Sequence, residues 1–186
     1  MHIRALFIRW RYRARQFLTR LRVGQAPIDP EVARSLLPEA AFVLFESMSP
    51  GDQAHALCVL RVLRQAGAVA DDVAEAALLH DVGKVGSGLT LLHRVLIVLL
   101  RRLDGGLLEY LATEPGRNAP LLGSWRYPFH AQAHHAELGA QRCAQVGCSP
   151  STVALVAHHE VSAHEYLSDP ALRAKLMALQ RADECC

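Results

Sequence analysis

Five imidazoles and two carboxylates follow one another along the chain: His55, His80-Asp81, His135, His158-His159 and Asp183. Neutral imidazole and carboxylate make a nitrogen-and-oxygen donor set for divalent metals. A carboxylate such as Asp81 can bridge two such ions, which together acidify water and bind phosphoryl oxygens. Ten histidines occur in 186 residues, and most of them lie in these few places.

For these groups to meet, the segments that carry them must fold onto one another, and each segment reads as helix. Hydrophobic residues make up 51% of the chain and aromatics only 6%, with Ala and Leu dominant, a composition that suits helix. Ser49-Pro50 opens a helix that holds His55 and ends near Gly67. A helix starting at Asp71 runs to His80-Asp81, where Gly83 and Gly86 stop it. The helix over 130–146 carries His135. Ser149-Pro150 caps the helix of His158-His159, and Asp169-Pro170 caps a last one that reaches Asp183. Pro38 breaks an apolar-periodic stretch over 31–48. Residues 104–127 read as a loop with one short helix. Residues 90–103 are apolar almost all round, which predicts burial in protein or in a membrane interface. No period-two pattern persists, so the predicted fold class is all-α.

Charge divides the chain into a basic segment, 1–28, and a helical domain, 29–186. The net charge is only +2, yet seven arginines and no acid fall within 1–28. Ile3, Phe7, Trp10, Ala14 and Leu21 recur at helical spacing, with Arg4, Arg11, Arg15 and Arg22 off that stripe. Residues 1–22 therefore read as a basic amphipathic helix. An anionic membrane surface suits it, as does the body of the protein or a second subunit, with nucleic acid ranked third. Its arginines exclude a secretory signal, and no apolar run approaches the ~20 residues of a membrane span. The five cysteines, Cys58, Cys143, Cys148, Cys185 and Cys186, form no C-x-x-C pair. They predict a reducing compartment, with neither a disulfide framework nor a thiolate metal site. The expected location is the cytoplasm, with contact to the membrane surface through residues 1–22.

Leu79-His80-Asp81-Val82-Gly83-Lys84 resembles the diagnostic His-Asp-x-Gly-Lys turn of the HD-domain metal-dependent phosphohydrolases. His55 is similar to that family's first histidine, and His135-Ala136-Glu137-Leu138-Gly139-Ala140 to its His-x-x-x-Gly-Ala segment. His158-His159-Glu160 and Ala182-Asp183-Glu184 resemble its later motifs. The resemblance covers about residues 49–184 and implies an HD-type helical bundle with the basic helix appended. It implies one ion on His55, His80, Asp81 and Asp183, and a second on His135, His158 and His159, bridged by Asp81. Iron, manganese or another first-row divalent ion suits these ligands better than zinc, with magnesium a further option. The implied activity is hydrolysis of a phosphate monoester or phosphodiester, in a nucleotide or similar small molecule. Asp81 would anchor the catalysis and Lys84 would pair with the substrate phosphate as a point charge. Val161 to Tyr166 contain no Gly-Tyr-Pro loop, a departure from the cyclic-dinucleotide branch of the family. Two other readings keep the same ligands: a regulatory or ligand-sensing module without turnover, and an HD-type di-iron oxygenase.

Overall fold

The computed structural model describes residues 30–67, 69–113, 125–161 and 168–186. The predicted basic helix over 1–22 and the segment 162–167 lie outside the described residues. The described residues are helical and contain no strand. None of their helices is long and apolar enough to cross a membrane.

Two short helices, α1 (Pro30–Arg34) and α2 (Glu39–Glu46), stand on either side of Pro38, which precedes the first turn of α2. Local chemistry starts the longer helices. In α3 (Pro50–Ala66) the Ser49 hydroxyl accepts from Asp52 N at 3.2 Å, and Pro50, lacking an N–H, stands where none is needed. Gly67, at φ 146°, ends it in a conformation closed to most side chains. The same serine-proline or aspartate-proline start opens α8 (Pro150–His158) and α9 (Pro170–Cys185). Between α3 and α8 in the chain come α4 (Asp71–Leu79), a single 3₁₀ turn (Val82–Lys84), α5 (Leu91–Leu103), α6 (Gly105–Ala112) and α7 (Tyr127–Gln145).

The centre of the bundle is α4. Val73, Ala74, Ala76, Ala77, Leu78 and Leu79 are all buried, so the helix is surrounded on every side. It packs against α2, α3, α8 and α9, and its three alanines let those neighbours approach closely. Phe42, Phe45, Leu60, Leu155, Leu176 and Leu179 fill the space around it, each burial stabilising by roughly 1.5–3 kcal/mol relative to exposure. A helix so placed has its C-terminal end inside the molecule, and that end carries His80-Asp81.

Two expectations are corrected. Residues 90–103 do form a helix, started by Thr90, but the chain does not bury it: Leu92 is 75% and Leu103 80% exposed, and Ile97 alone points fully inward among its described side chains. All-round apolarity suits a core position or a membrane interface, and it is the core position that is corrected, because only one side of α5 finds a partner within the described residues. The cysteines also differ from expectation. Cys58 and Cys186 form a disulfide across 128 residues of chain, with Cα atoms 6.0 Å apart. Packing of α3 against α9 brings them together, which spacing along the chain could not reveal. Cys143, Cys148 and Cys185 are free thiols.

The disulfide joins the helix of His55 to the helix of Asp183, three residues from each. Reduction, or Cys58→Ser, is expected to lower the unfolding free energy by about 2–4 kcal/mol, because the unfolded chain regains the freedom of a long loop. Urea titrations with and without a thiol reductant measure this. Coincident midpoints would mean that the bond does not form in solution.

Candidate metal centre

Six elements meet at the C-terminal end of α4, which is itself one of them. His55 comes from α3, His80 closes α4, and Asp81 and Lys84 belong to the turn that follows. His135 lies in α7, His159 just past α8, and Asp183 in α9. Asp81 leaves the helix with φ −96° and ψ 3°, and the 3₁₀ turn closes through Lys84 N donating to Asp81 O at 3.0 Å. Gly83 sits against the backbone of α7 near His135 and Gly139, so the turn and α7 meet without a side chain between them. Arg142, one turn further along α7, donates to Val82 O at 2.6 Å and Val85 O at 3.1 Å. From α9, Gln180 donates to His159 O at 3.0 Å and Val161 O at 2.6 Å, tying the end of α8 to the helix of Asp183.

Two groups of three potential ligands result, His55-His80-Asp81 and Asp81-His135-His159, with the ligand atoms of each within 4.8 Å of one another. All of these residues are buried, and Asp81 is common to both groups. His55 Nε2 lies 2.8 Å from Asp183 Oδ1, and His80 Nε2 lies 3.9 Å from that oxygen. His135 Nε2 lies 3.4 Å from Asp81 Oδ1 and 3.2 Å from His159 Nε2.

The direction of the lone pairs follows from three backbone bonds. His80 Nδ1 faces Ala77 O at 3.0 Å, His135 Nδ1 faces Gln132 O at 2.9 Å, and His159 Nδ1 faces Val156 O at 2.8 Å. A carbonyl can only accept, so in each ring the proton belongs on Nδ1 and the neutral ring aims the Nε2 lone pair into the centre. This is how a protein orients imidazole for a metal. His80 Nε2 is buried and has no hydrogen-bond partner among the described residues, and the Nε2 atoms of His135 and His159 face each other as two acceptors. An orphaned buried lone pair and a facing pair of them are costly unless a cation lies between. The residues therefore fit a metal cation held by nitrogen and oxygen donors.

Charge supports the same reading. Burial resists ionisation of Asp81, but the Lys84 ammonium, 2.5 Å from Asp81 Oδ1, outweighs it and holds the carboxyl well below the usual range. Asp183 is likewise held ionised: burial opposes it, and the hydrogen bond from His55 prevails. Burial pushes His80 and His159 below 6.5, and His135 down to about 3. Metal ligation needs these same neutral rings and charged carboxylates.

A pH dependence follows. The unfolded chain protonates these histidines near 6.5, whereas the folded chain refuses the proton until about 3 at His135. Their contribution to stability is therefore fully present above pH 6.5 and drains away as pH falls from there toward about 3. Thermal melts of metal-stripped protein between about pH 8 and about pH 4 should show a falling midpoint. A midpoint independent of pH below 6.5 would mean that the rings are already protonated in the fold.

His158 belongs to neither group. Leu155, Val156 and His159 are buried on one side of the α8 segment, and His158, one residue earlier, is only half-buried. His134 is exposed, and His130 faces the Ala112 carbonyl at 2.8 Å instead of the centre. Glu160 stands at the rim, with Oε1 3.7 Å from His135 Nε2. Sequence reasoning missed Arg142 and Gln180, whose partners are backbone carbonyls and so leave no signature of residue type. No protein-family model, curated protein or solved structure matches the chain.

Proposed function

We propose that this protein is a metal-dependent phosphohydrolase of HD type, acting on a phosphate monoester or phosphodiester of a nucleotide or similar small molecule. The observation that carries the reading is the pair of ligand groups sharing Asp81, with neutral imidazole lone pairs converging from both sides. Two divalent ions bound there would supply Lewis acidity toward phosphoryl oxygen and lower the pKa of bound water.

The residues of the chain have distinct tasks in this reading. Asp81 holds the two halves of the centre together, with His55, His80 and Asp183 on one side and His135 and His159 on the other. The hydrogen bonds from Nδ1 to the backbone keep the rings of His80, His135 and His159 neutral and in register, so binding need not reorient them. Lys84, anchored at Asp81 and 12% exposed, supplies a positive charge at the wall of the centre where a phosphate would arrive. Glu160, 40% exposed, places a carboxylate on the solvent side of His135.

Hydrolysis of nucleoside monophosphates read as phosphate, of cyclic nucleotides read as the nucleoside monophosphate, and of a nitrophenyl diester read as nitrophenolate, assayed with manganese or ferrous iron, tests the proposal. Turnover that disappears with a chelator and returns with metal is expected. Metal-loaded protein that hydrolyses none of this panel would overturn the hydrolase reading in favour of a binding module.

A further inference from the structure

The exposed helix α5 carries a second feature, independent of the metal centre. Its inner side contributes Ile97 to a small cluster with Leu111 and Phe129, separate from the main core. His93 lies edge-on to Phe129, with centroids 5.6 Å apart. The opposite side presents Leu92, Val95, Leu96, Leu99 and Leu103, at steps of three and four, and all five are exposed. Leu107 on α6 and Trp125 ahead of α7 are exposed as well, Trp125 while standing edge-on to Phe129 at 6.3 Å. Single exposed leucines are ordinary on a soluble surface, whereas an unbroken stripe along a helix marks a contact.

The charges around the stripe select the contact. No acidic residue occurs in α5, and Arg101 and Arg102 are exposed in its last turn. Arg94 is turned away, donating to both oxygens of buried Asp52 at 3.1 and 3.3 Å. Asp104, just beyond, is engaged in capping α6 through Leu107 N at 2.9 Å. A second copy of the same helix would bring further arginines and no acid to meet them. A lipid surface meets both needs, with acyl chains for the stripe and phosphate groups for the arginines. At thirteen residues the helix is about 20 Å long, too short to span and long enough to lie in the interface, where Trp125 also suits the boundary.

We infer that α5 docks this face of the protein on an anionic lipid surface, its apolar stripe at the acyl boundary and Arg102, at the edge of the stripe, on the headgroups. The basic pattern of residues 1–22 suits the same surface, so the test keeps that segment intact and varies α5.

Co-sedimentation of the full chain with phosphatidylcholine vesicles, with and without phosphatidylglycerol, provides the measurement. Wild type is expected to bind the phosphatidylglycerol vesicles at least about tenfold more tightly than the neutral ones. Leu96→Glu/Leu99→Glu should lose about tenfold or more of that affinity with helicity and metal content unchanged. Arg102→Glu, which spares the apolar stripe, should lose about fivefold at low salt, and Arg101→Glu, on the Ile97 side of the helix, should lose less. Wild type that binds neither vesicle overturns the inference. So does a Leu96→Glu/Leu99→Glu protein that binds as wild type, which would assign the contact to residues 1–22. A solution dimer that the leucine variant splits, without vesicle binding by wild type, would assign the stripe to a second copy instead.

Discussion

Asp81→Ala is expected to leave almost no transition metal on the protein, against about two ions per chain expected for wild type, and to slow substrate hydrolysis by at least about a thousandfold. The size of the effect follows from position. Asp81 is the residue common to both ligand groups, so its loss disables both halves at once, whereas removing any one imidazole affects a single half. The substitution also strands Lys84, whose ammonium lies 2.5 Å from the Asp81 carboxylate. A buried charge left without its partner costs about 3–5 kcal/mol, less where a flexible stem can carry the ammonium to solvent. Two effects are therefore superimposed, and they separate by mutation. Asp81→Ala/Lys84→Met should regain much of the lost melting temperature while remaining free of metal. Metal content by elemental analysis is the decisive readout: an Asp81→Ala protein with wild-type occupancy would show that the two groups do not share a ligand.

Gly83→Ala is expected to destabilise the fold by at least about 4 kcal/mol, enough to prevent accumulation of soluble protein or to abolish metal loading. A Cβ at this position would fall within the van der Waals envelope of the His135 carbonyl oxygen and only 2.8 Å from Gly139 N. Both obstacles are backbone of α7, which cannot swing aside as a flexible side chain would. The turn bearing Asp81 and Lys84 would have to separate from the helix bearing His135, opening the centre at its bridge. Gly86→Ala is the contrasting case. Its added Cβ meets open space, but its φ of 73° is unfavourable for a side chain, so a cost of only about 1 kcal/mol is expected. Gly139→Ala lies between, with contacts of 3.2 Å to Gly83 N and to Val156 Cγ1. Chemical denaturation of the three variants ranks them. A Gly83→Ala protein as stable as Gly86→Ala would show that the turn and α7 are not in contact.

Much of the bundle is legible because helix starts and stops are local events. Ser49-Pro50, Ser149-Pro150 and Asp169-Pro170 each satisfy amide groups within a few residues, and they mark the starts of α3, α8 and α9. The break at Pro38 and the stop at Gly67 are equally local. Burial is a different matter. Apolar composition assigned residues 90–103 to an interior or an interface, and the structure leaves the outer side of α5 in solvent. Composition states what a surface would tolerate, and only the number of neighbouring elements decides whether it is covered.

The candidate centre divides along the same line. Sequence alone determined the supply of neutral nitrogen and anionic oxygen donors, and the helices on which they ride, because residue type and helix signals are properties of short segments. Tertiary structure decided which donors meet. The rotation of each helix about its axis, set by packing between elements far apart in the chain, turns His159 inward and leaves His158 outside both groups. It seats the Lys84 ammonium on Asp81 and joins Cys58 to Cys186, where residue counting had predicted free thiols. These outcomes depend on differences of a few ångströms between packed surfaces, and local spacing holds no record of them.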